Sequence, residues 1–138
     1  MRKFIIILSV LLLAFILAGY SQFASYPNPA ASYAGMMGYS YELRTDANGA
    51  QYGVCIFPDG SEADAWAFLN GKAGQPFSYC AKNGYSTEMR TIDHGTWTEE
   101  CAICAKTDAM GKKTEIRMTD LMDKNGEPLV TVTEKPGG

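Results

Sequence analysis

The chain has 138 residues, 46% of them hydrophobic and 20% charged, with 15 acidic against 12 basic residues and a net charge of −3. That is room for one ordinary domain or two very small ones. No basic cluster exceeds the pair Lys112–Lys113, whereas a phosphate backbone demands several concentrated positive charges, so nucleic-acid binding and electrostatic attachment to anionic lipid are both disfavoured.

Arg2 and Lys3 precede an apolar run from Phe4 to Ala18 broken only by Ser9. A basic start with an apolar core of this length reads as a secretory signal over residues 1–21; a spanning helix wants about 20 apolar residues, so an uncleaved membrane anchor is the alternative. Residues 22–27 form a linker. Without Arg2 and Lys3 the chain keeps 10 basic and 15 acidic residues, a net charge of −5. Outside the reducing cytosol, Cys55, Cys80, Cys101 and Cys104 are expected in disulfides rather than in metal or thiol chemistry.

A repeat organises the rest. Aligning Ser32 with Ser78 gives eight identities in the fourteen positions Ser32–Thr45: Ser32, Tyr33, Gly38, Tyr39, Ser40, Glu42, Arg44 and Thr45. This is an internal duplication, with residues 28–74 as repeat one and 75–138 as repeat two.

Repeat one opens with Asn28 as N-cap and Pro29 at the first helical position. Ala30, Tyr33, Ala34 and Met37 fall on one helical face, and Gly38 suits the left-handed residue that ends a helix. Tyr39, Tyr41 and Leu43 then alternate with Ser40, Glu42 and Arg44, predicting a half-buried strand. "DANG" (Asp46–Gly49) supplies a turn and "QYGVCIF" the return strand. After the turn "PDGS", "EADAWAFLNG" predicts a short helix burying Ala63, Trp66 and Ala67. Repeat two follows the same plan: Tyr79 and Cys80 on the helix face, Gly84 as stop, a hairpin expanded around "DHGTWTEE" and "AKTDAMGKK", and a short helix at "MTDLMDKNG". A last strand, "PLVTVTE", adds to an edge. The expected fold class is α+β: two helix–β-hairpin–short helix repeats packed into one small disulfide-stapled body.

Setting "YGVC" (Tyr52–Cys55) against "CAIC" (Cys101–Cys104) makes Cys55 the counterpart of Cys104 and Tyr52 that of Cys101. A cysteine on the helix face can reach the return strand, which predicts Cys80–Cys104 within repeat two and leaves Cys55 to pair with Cys101. Three connectivities remain formally open.

"NPAASYAGMMGY", "DANGAQYGVCIFPDGSEADAWAFLNGKAG" and "YCAKNGY" resemble a small exported domain of unknown function often labelled haemolysin, found in bacteria and methanogenic archaea. The resemblance covers about Asn28 to Gly84 and implies a fold and an exported address, not a lytic mechanism. Family members carry cysteines where this chain has Ala34, Ala63 and Ala73, so the resemblance implies one bridge lost at Ala63 and Ala73, and a partner lost to Cys55 at Ala34.

Signals for chemistry are sparse. The CxxC spacing of Cys101 and Cys104 reads as strand, not as the strand-to-helix turn of a redox pair; a zinc site would need two more ligands, for which Cys55, Cys80 and His94 are the candidates, and export favours disulfides instead. His94, the sole histidine, sits in the turn "DHGT"; a catalytic role would require a cleft gathering it with Glu99 or Glu100. "DANG" and "DKNGE" contain fragments of a calcium loop without its ligand spacing. No cofactor or metal is expected. Trp66 is assigned to the core and Trp97, in the expanded turn, to exposure and contact with a ligand. The expected role is a non-enzymatic, secreted or cell-surface structural or binding module for an envelope or extracellular glycan, peptide or protein. The alternatives are an inhibitor- or toxin-like effector, presenting Trp97 or the Met110–Gly111 hairpin, and an enzyme.

Overall fold

The computed structural model describes residues 28–129. The signal segment, the linker and positions 130–134 of the last expected strand lie outside the described residues.

Repeat one begins with helix α1 (Pro29–Met36), whose cap is Asn28: its side-chain oxygen accepts from the N–H groups of Ala30 and Ala31 at 2.9 and 3.4 Å, satisfying donors that no helix can pair internally. The helix buries Ala30, Tyr33 and Ala34, with Met37 just after it. Gly38 turns the chain at φ +76 and Tyr39 N–H closes on the Ala34 carbonyl at 3.0 Å. Strand β1 (Ser40–Thr45) pairs antiparallel with β2 (Gln51–Ile56). The turn between them is wound on Asp46, whose carboxylate accepts from Asn48 and Ala50 N–H, which is turn chemistry rather than a calcium loop.

Three expectations for this half are corrected. "EAD" is a strand, β3 (Glu62–Asp64), paired with Val54–Ile56; the helix α2 (Ala65–Leu69) starts only after it, capped by Asp64. This start puts Ala65, Phe68 and Leu69 on the buried face and turns Trp66 outward, 46% exposed. Leu43 is 58% exposed although it follows the alternation of Tyr41.

Repeat two has the same order: helix α3 (Tyr79–Lys82), strands β4 (Ser86–Asp93), β5 (Thr98–Thr107) and β6 (Lys113–Arg117), and helix α4 (Met118–Lys124). A 3-10 turn, Gln75–Phe77, joins the halves. Each half is a three-stranded antiparallel sheet in sequential order. Tyr41 opposes Cys55 as Thr87 opposes Cys104, and Arg44 opposes Tyr52 as Arg90 opposes Cys101. The shared register is consistent with a duplication. On the outer face of each sheet a buried aliphatic residue, Val54 or Ile103, lies among an arginine and glutamates: Arg44 with Glu42 and Glu62, Arg90 with Glu88 and Glu115.

One core serves both halves, drawing Tyr33, Ala34, Cys55 and Phe68 from the first and Cys80, Cys104, Met118 and Met122 from the second. At the junction Phe57 stacks on Phe77 (centroids 4.5 Å, planes 8° apart) and meets Phe68 and Tyr39 edge-on. Gly74 passes beneath these rings at φ +63, where an added Cβ would collide with the rings of Phe57 and Phe68. Tyr33 is fully buried and crosses the junction: its hydroxyl accepts from Tyr79 N–H at 2.9 Å and donates to Met118 Sδ at 3.1 Å. Burial holds this phenol above its ordinary pKa, so it stays a neutral donor.

Cys80 and Cys104 form the disulfide, with Cα atoms 5.1 Å apart. The expected Cys55–Cys101 bridge is absent; both thiols are free. Strand parity explains why. Cys55 shares the core-facing side with its counterpart Cys104 and is fully buried, whereas Cys101 points with Glu99 to the outer face of the other sheet.

Two outcomes follow from this packing. Ala34 and Cys55 occupy the places of Cys80 and Cys104, and the Tyr39 N–H to Ala34 carbonyl bond matches that of Tyr85 to Cys80 at 2.9 Å. Ala34→Cys is therefore expected to close a second disulfide with Cys55, adding about 3 kcal/mol for a loop of this size; non-reducing peptide mass spectrometry that finds the introduced thiol free would overturn the equivalence. Tyr33→Phe leaves the buried Tyr79 N–H without an acceptor and should destabilise the fold by about 1–3 kcal/mol, read as a lower urea midpoint at unchanged slope.

Candidate functional site

The β4–β5 hairpin outruns its counterpart. Thr45–Gln51 is the last pair of β1–β2, while beyond the equivalent Thr91–Glu100 the second hairpin adds Ile92–Glu99 and Asp93–Thr98. The tip is a tight reversal: His94 N–H donates to the Trp97 carbonyl at 2.9 Å, Gly95 sits at φ +87, and Asp93 accepts from Gly95 N–H at 2.7 Å. His94 and Trp97 flank the two turn residues, so their side chains leave the same side. The rings stack at 4.0 Å with planes 16° apart, and Trp97 remains 56% exposed.

This pair is braced from below. His94 Nε2 lies 3.1 Å from Glu99 Oε2, and both Glu99 oxygens accept from Arg117, at 3.1 and 2.9 Å. The Arg117 guanidinium first, and His94 second, hold the Glu99 carboxyl below the usual glutamate range. Glu99 in turn raises Arg117, which stays charged at any accessible pH. The arrangement is a flat aromatic plate on a planar carboxylate–guanidinium pair.

Of the residues singled out in the sequence, the structure brings together His94, Trp97 and Glu99. Glu100 falls on the opposite face and pairs with Lys72 at 2.6 Å. Arg117 carries no local signal: it stands eighteen residues beyond Glu99 and reaches it only because β6 ends beside Ile103. His94 sits on a projecting hairpin, outside the shallow concavity that Glu99 and Arg117 help to line, and among the described residues no hydroxyl or thiol hydrogen-bonds to the imidazole.

The thiols show no activation. Burial pushes both Cys55 and Cys101 up from the ordinary thiol value, with Asp64 adding to the first and Arg117 opposing at the second; a thiol above its normal pKa is a poor nucleophile and a poor ligand. Cys104 is committed to Cys80, so the CxxC spacing unites nothing. No cluster of three or more His, Cys, Asp or Glu suited to a metal is present among the described residues. No helix among the described residues is long and apolar enough to cross a membrane.

A concavity of about 520 Å³ lies where α1 ends against α3, lined by Met36, Met37, Tyr79, Lys82, Asn83 and Glu127. The Tyr79 hydroxyl donates to Glu127 at 2.5 Å and accepts from Asn125 at 2.9 Å. Lys82 Nζ donates to the Met37 carbonyl at 3.0 Å and lies over the Tyr39 ring. The sequence reading missed it because its walls come from three separate segments.

Residues 25–72 match a domain of unknown function, DUF333. The chain is similar to an uncharacterised protein of Archaeoglobus fulgidus, 33% identical over 95 residues. That alignment takes in 69% of this chain and 41% of the archaeal protein, so the chain spans about two fifths of its relative's length. No solved structure matches the chain. The DUF333 match ends before α3, and the braced hairpin lies wholly outside it.

Proposed function

We propose that this chain is a non-enzymatic binding module of the cell surface or secreted space, and that its ligand is an envelope glycan received on the Trp97 hairpin. The observation that carries the reading is the exposed Trp97–His94 plate held by Glu99 and Arg117. Sugars present apolar C–H faces that pack on a flat aromatic surface, and hydroxyl edges that accept hydrogen bonds from a guanidinium and donate them to a carboxylate alongside; amphipathic aromatics of this kind dominate recognition surfaces. The exported address rests on the apolar start of the sequence and is compatible with a disulfide. The resemblance to haemolysin-labelled domains contributes that address and no lytic step.

A second reading, an effector directed at a protein or membrane, is favoured by one feature: Met110 at the tip of the β5–β6 turn is 93% exposed. The two readings place the contact on different hairpins.

Trp66→Phe leaves Trp97 as the sole tryptophan and allows a direct titration. Its fluorescence should change saturably with purified envelope polysaccharide, and in co-sedimentation with the insoluble polysaccharide Trp97→Ala should bind about 30-fold or more weakly, the loss of a well-packed aromatic anchor, at an unchanged urea midpoint. Met110→Ala should bind normally. Full retention of binding in Trp97→Ala, or loss in Met110→Ala alone, would overturn the assignment.

A further inference from the structure

The two helix ends that meet at the junction carry different chemistry at equivalent positions. In the register that sets Ser32 on Ser78, Met36 and Met37 are the counterparts of Lys82 and Asn83. All four line the concavity of about 520 Å³, so thioethers from the end of α1 face an ammonium and an amide from α3. The short helix of each half also ends alike: Lys72 N–H closes on the Ala67 carbonyl at 2.8 Å, as Glu127 N–H closes on that of Met122 at 2.9 Å. Lys72 pairs with Glu100, whereas Glu127 lines the concavity. The first half closes the same two turns with a methionine and a lysine, so neither charge of the second half is a requirement of the fold.

Both charges keep unused capacity. An ammonium has three N–H donors; Lys82 spends one on the Met37 carbonyl at 3.0 Å and lies over the Tyr39 ring, 4.9 Å from its centroid. One Glu127 oxygen accepts from the Tyr79 hydroxyl at 2.5 Å, and the other has no hydrogen-bond partner among the described residues. The carboxylate is oriented from behind, because Asn125 donates to the same hydroxyl at 2.9 Å and Asn83 to the Tyr79 carbonyl at 2.9 Å. Among the described residues Lys82 and Glu127 pair neither with each other nor with another charged side chain. Between them Met37 is buried and Met36 half-exposed, a soft apolar wall that adapts to varied shapes. The volume is in the range of small-molecule sites.

We propose that this concavity binds a small zwitterion, a free amino acid or dipeptide with an aliphatic side chain. Its carboxylate takes the remaining N–H groups of Lys82, its ammonium donates to the open oxygen of Glu127, and its side chain lies on Met36 and Met37. An anion would be repelled by Glu127 and a cation by Lys82; a ligand carrying both charges satisfies both walls. No residue of the Trp97 hairpin lines the concavity, so the site is independent of the glycan reading.

The test follows the methyl resonances of Met36 and Met37 by NMR in the full chain as leucine or alanyl-leucine is added. They should shift saturably, and the tighter of the two ligands names the source. N-acetyl-leucine, which lacks the ammonium, and leucinamide, which lacks the carboxylate, should each bind about tenfold or more weakly than leucine, the loss of one charge-assisted contact. In Glu127→Gln the penalty for acetylation should vanish, in Lys82→Gln the penalty for amidation, and Trp97→Ala should titrate like the parent. The blocked ligands are compared on the unaltered protein, so they decide even where a variant fails to fold. Absence of a saturable shift with either zwitterion, or equal binding of blocked and free ligands, would overturn the proposal. So would a titration abolished by Trp97→Ala, which would place the ligand on the hairpin.

Discussion

The fold depends on one buried phenol. Neither three-stranded sheet, with its few helical turns, encloses a core alone, and Tyr33 makes the enclosure mutual. Its ring belongs to the helix of the first half, while its hydroxyl occupies the first N–H of α3 and the sulfur of Met118 at the head of α4. A hydroxyl at this depth is tolerated only because both its capacities are used. No buried side-chain N or O atom among the described residues lacks a partner, and this bond is what lets a polar group sit at the centre of the seam. The aromatic cluster around Phe57 then closes over Gly74, the one point where the connecting chain must pass beneath rings that leave no space for a side chain.

The two halves use the same parts differently. Tyr79, the counterpart of Tyr33, turns its hydroxyl to Glu127 and Asn125 at the edge of a surface concavity rather than into the core. Cys55 keeps the place of a bridging cysteine without a partner, and Cys101 stands where the first half has Tyr52. Repeat two alone carries the two extra ladder pairs that lift Trp97 and His94 off the body. Packing demands are met by what the halves share; the features with surplus chemistry lie where they differ.

Local grammar was readable wherever it needed no partner. The Asn28 cap, the Ala30–Tyr33–Ala34–Met37 face, the glycine stops and the turns on Asp46 and Asp59 each depend on residues within about two helical turns of each other. The register of the two hairpins followed from the repeat. The errors arose where a choice depended on distant residues. Whether "EADAWAFL" buries Trp66 or Phe68 turns on where the helix begins, and that is set by β3 pairing back to Val54. Leu43 obeys the alternation but lies where the hairpin runs past an eight-residue helix too short to cover it. The missing Cys55–Cys101 bridge was excluded by the same parity that separated Cys101 from Cys104; it had only to be applied across both sheets. In the candidate site His94, Trp97 and Glu99 were visible as one turn, and Arg117, which fixes their geometry, was not.

Cys55 gives the protein a built-in clock for its own opening. Its thiol has no path to reagent while the first sheet is packed on α1, yet it is not consumed in a bond. Its rate of modification in the native protein therefore measures how often that half of the core comes apart, residue-specifically and without an added label. The second half has no such reporter, because its equivalent position is locked in the Cys80–Cys104 disulfide. A comparison of that rate with the opening of the whole molecule would tell whether the halves part company before either unfolds.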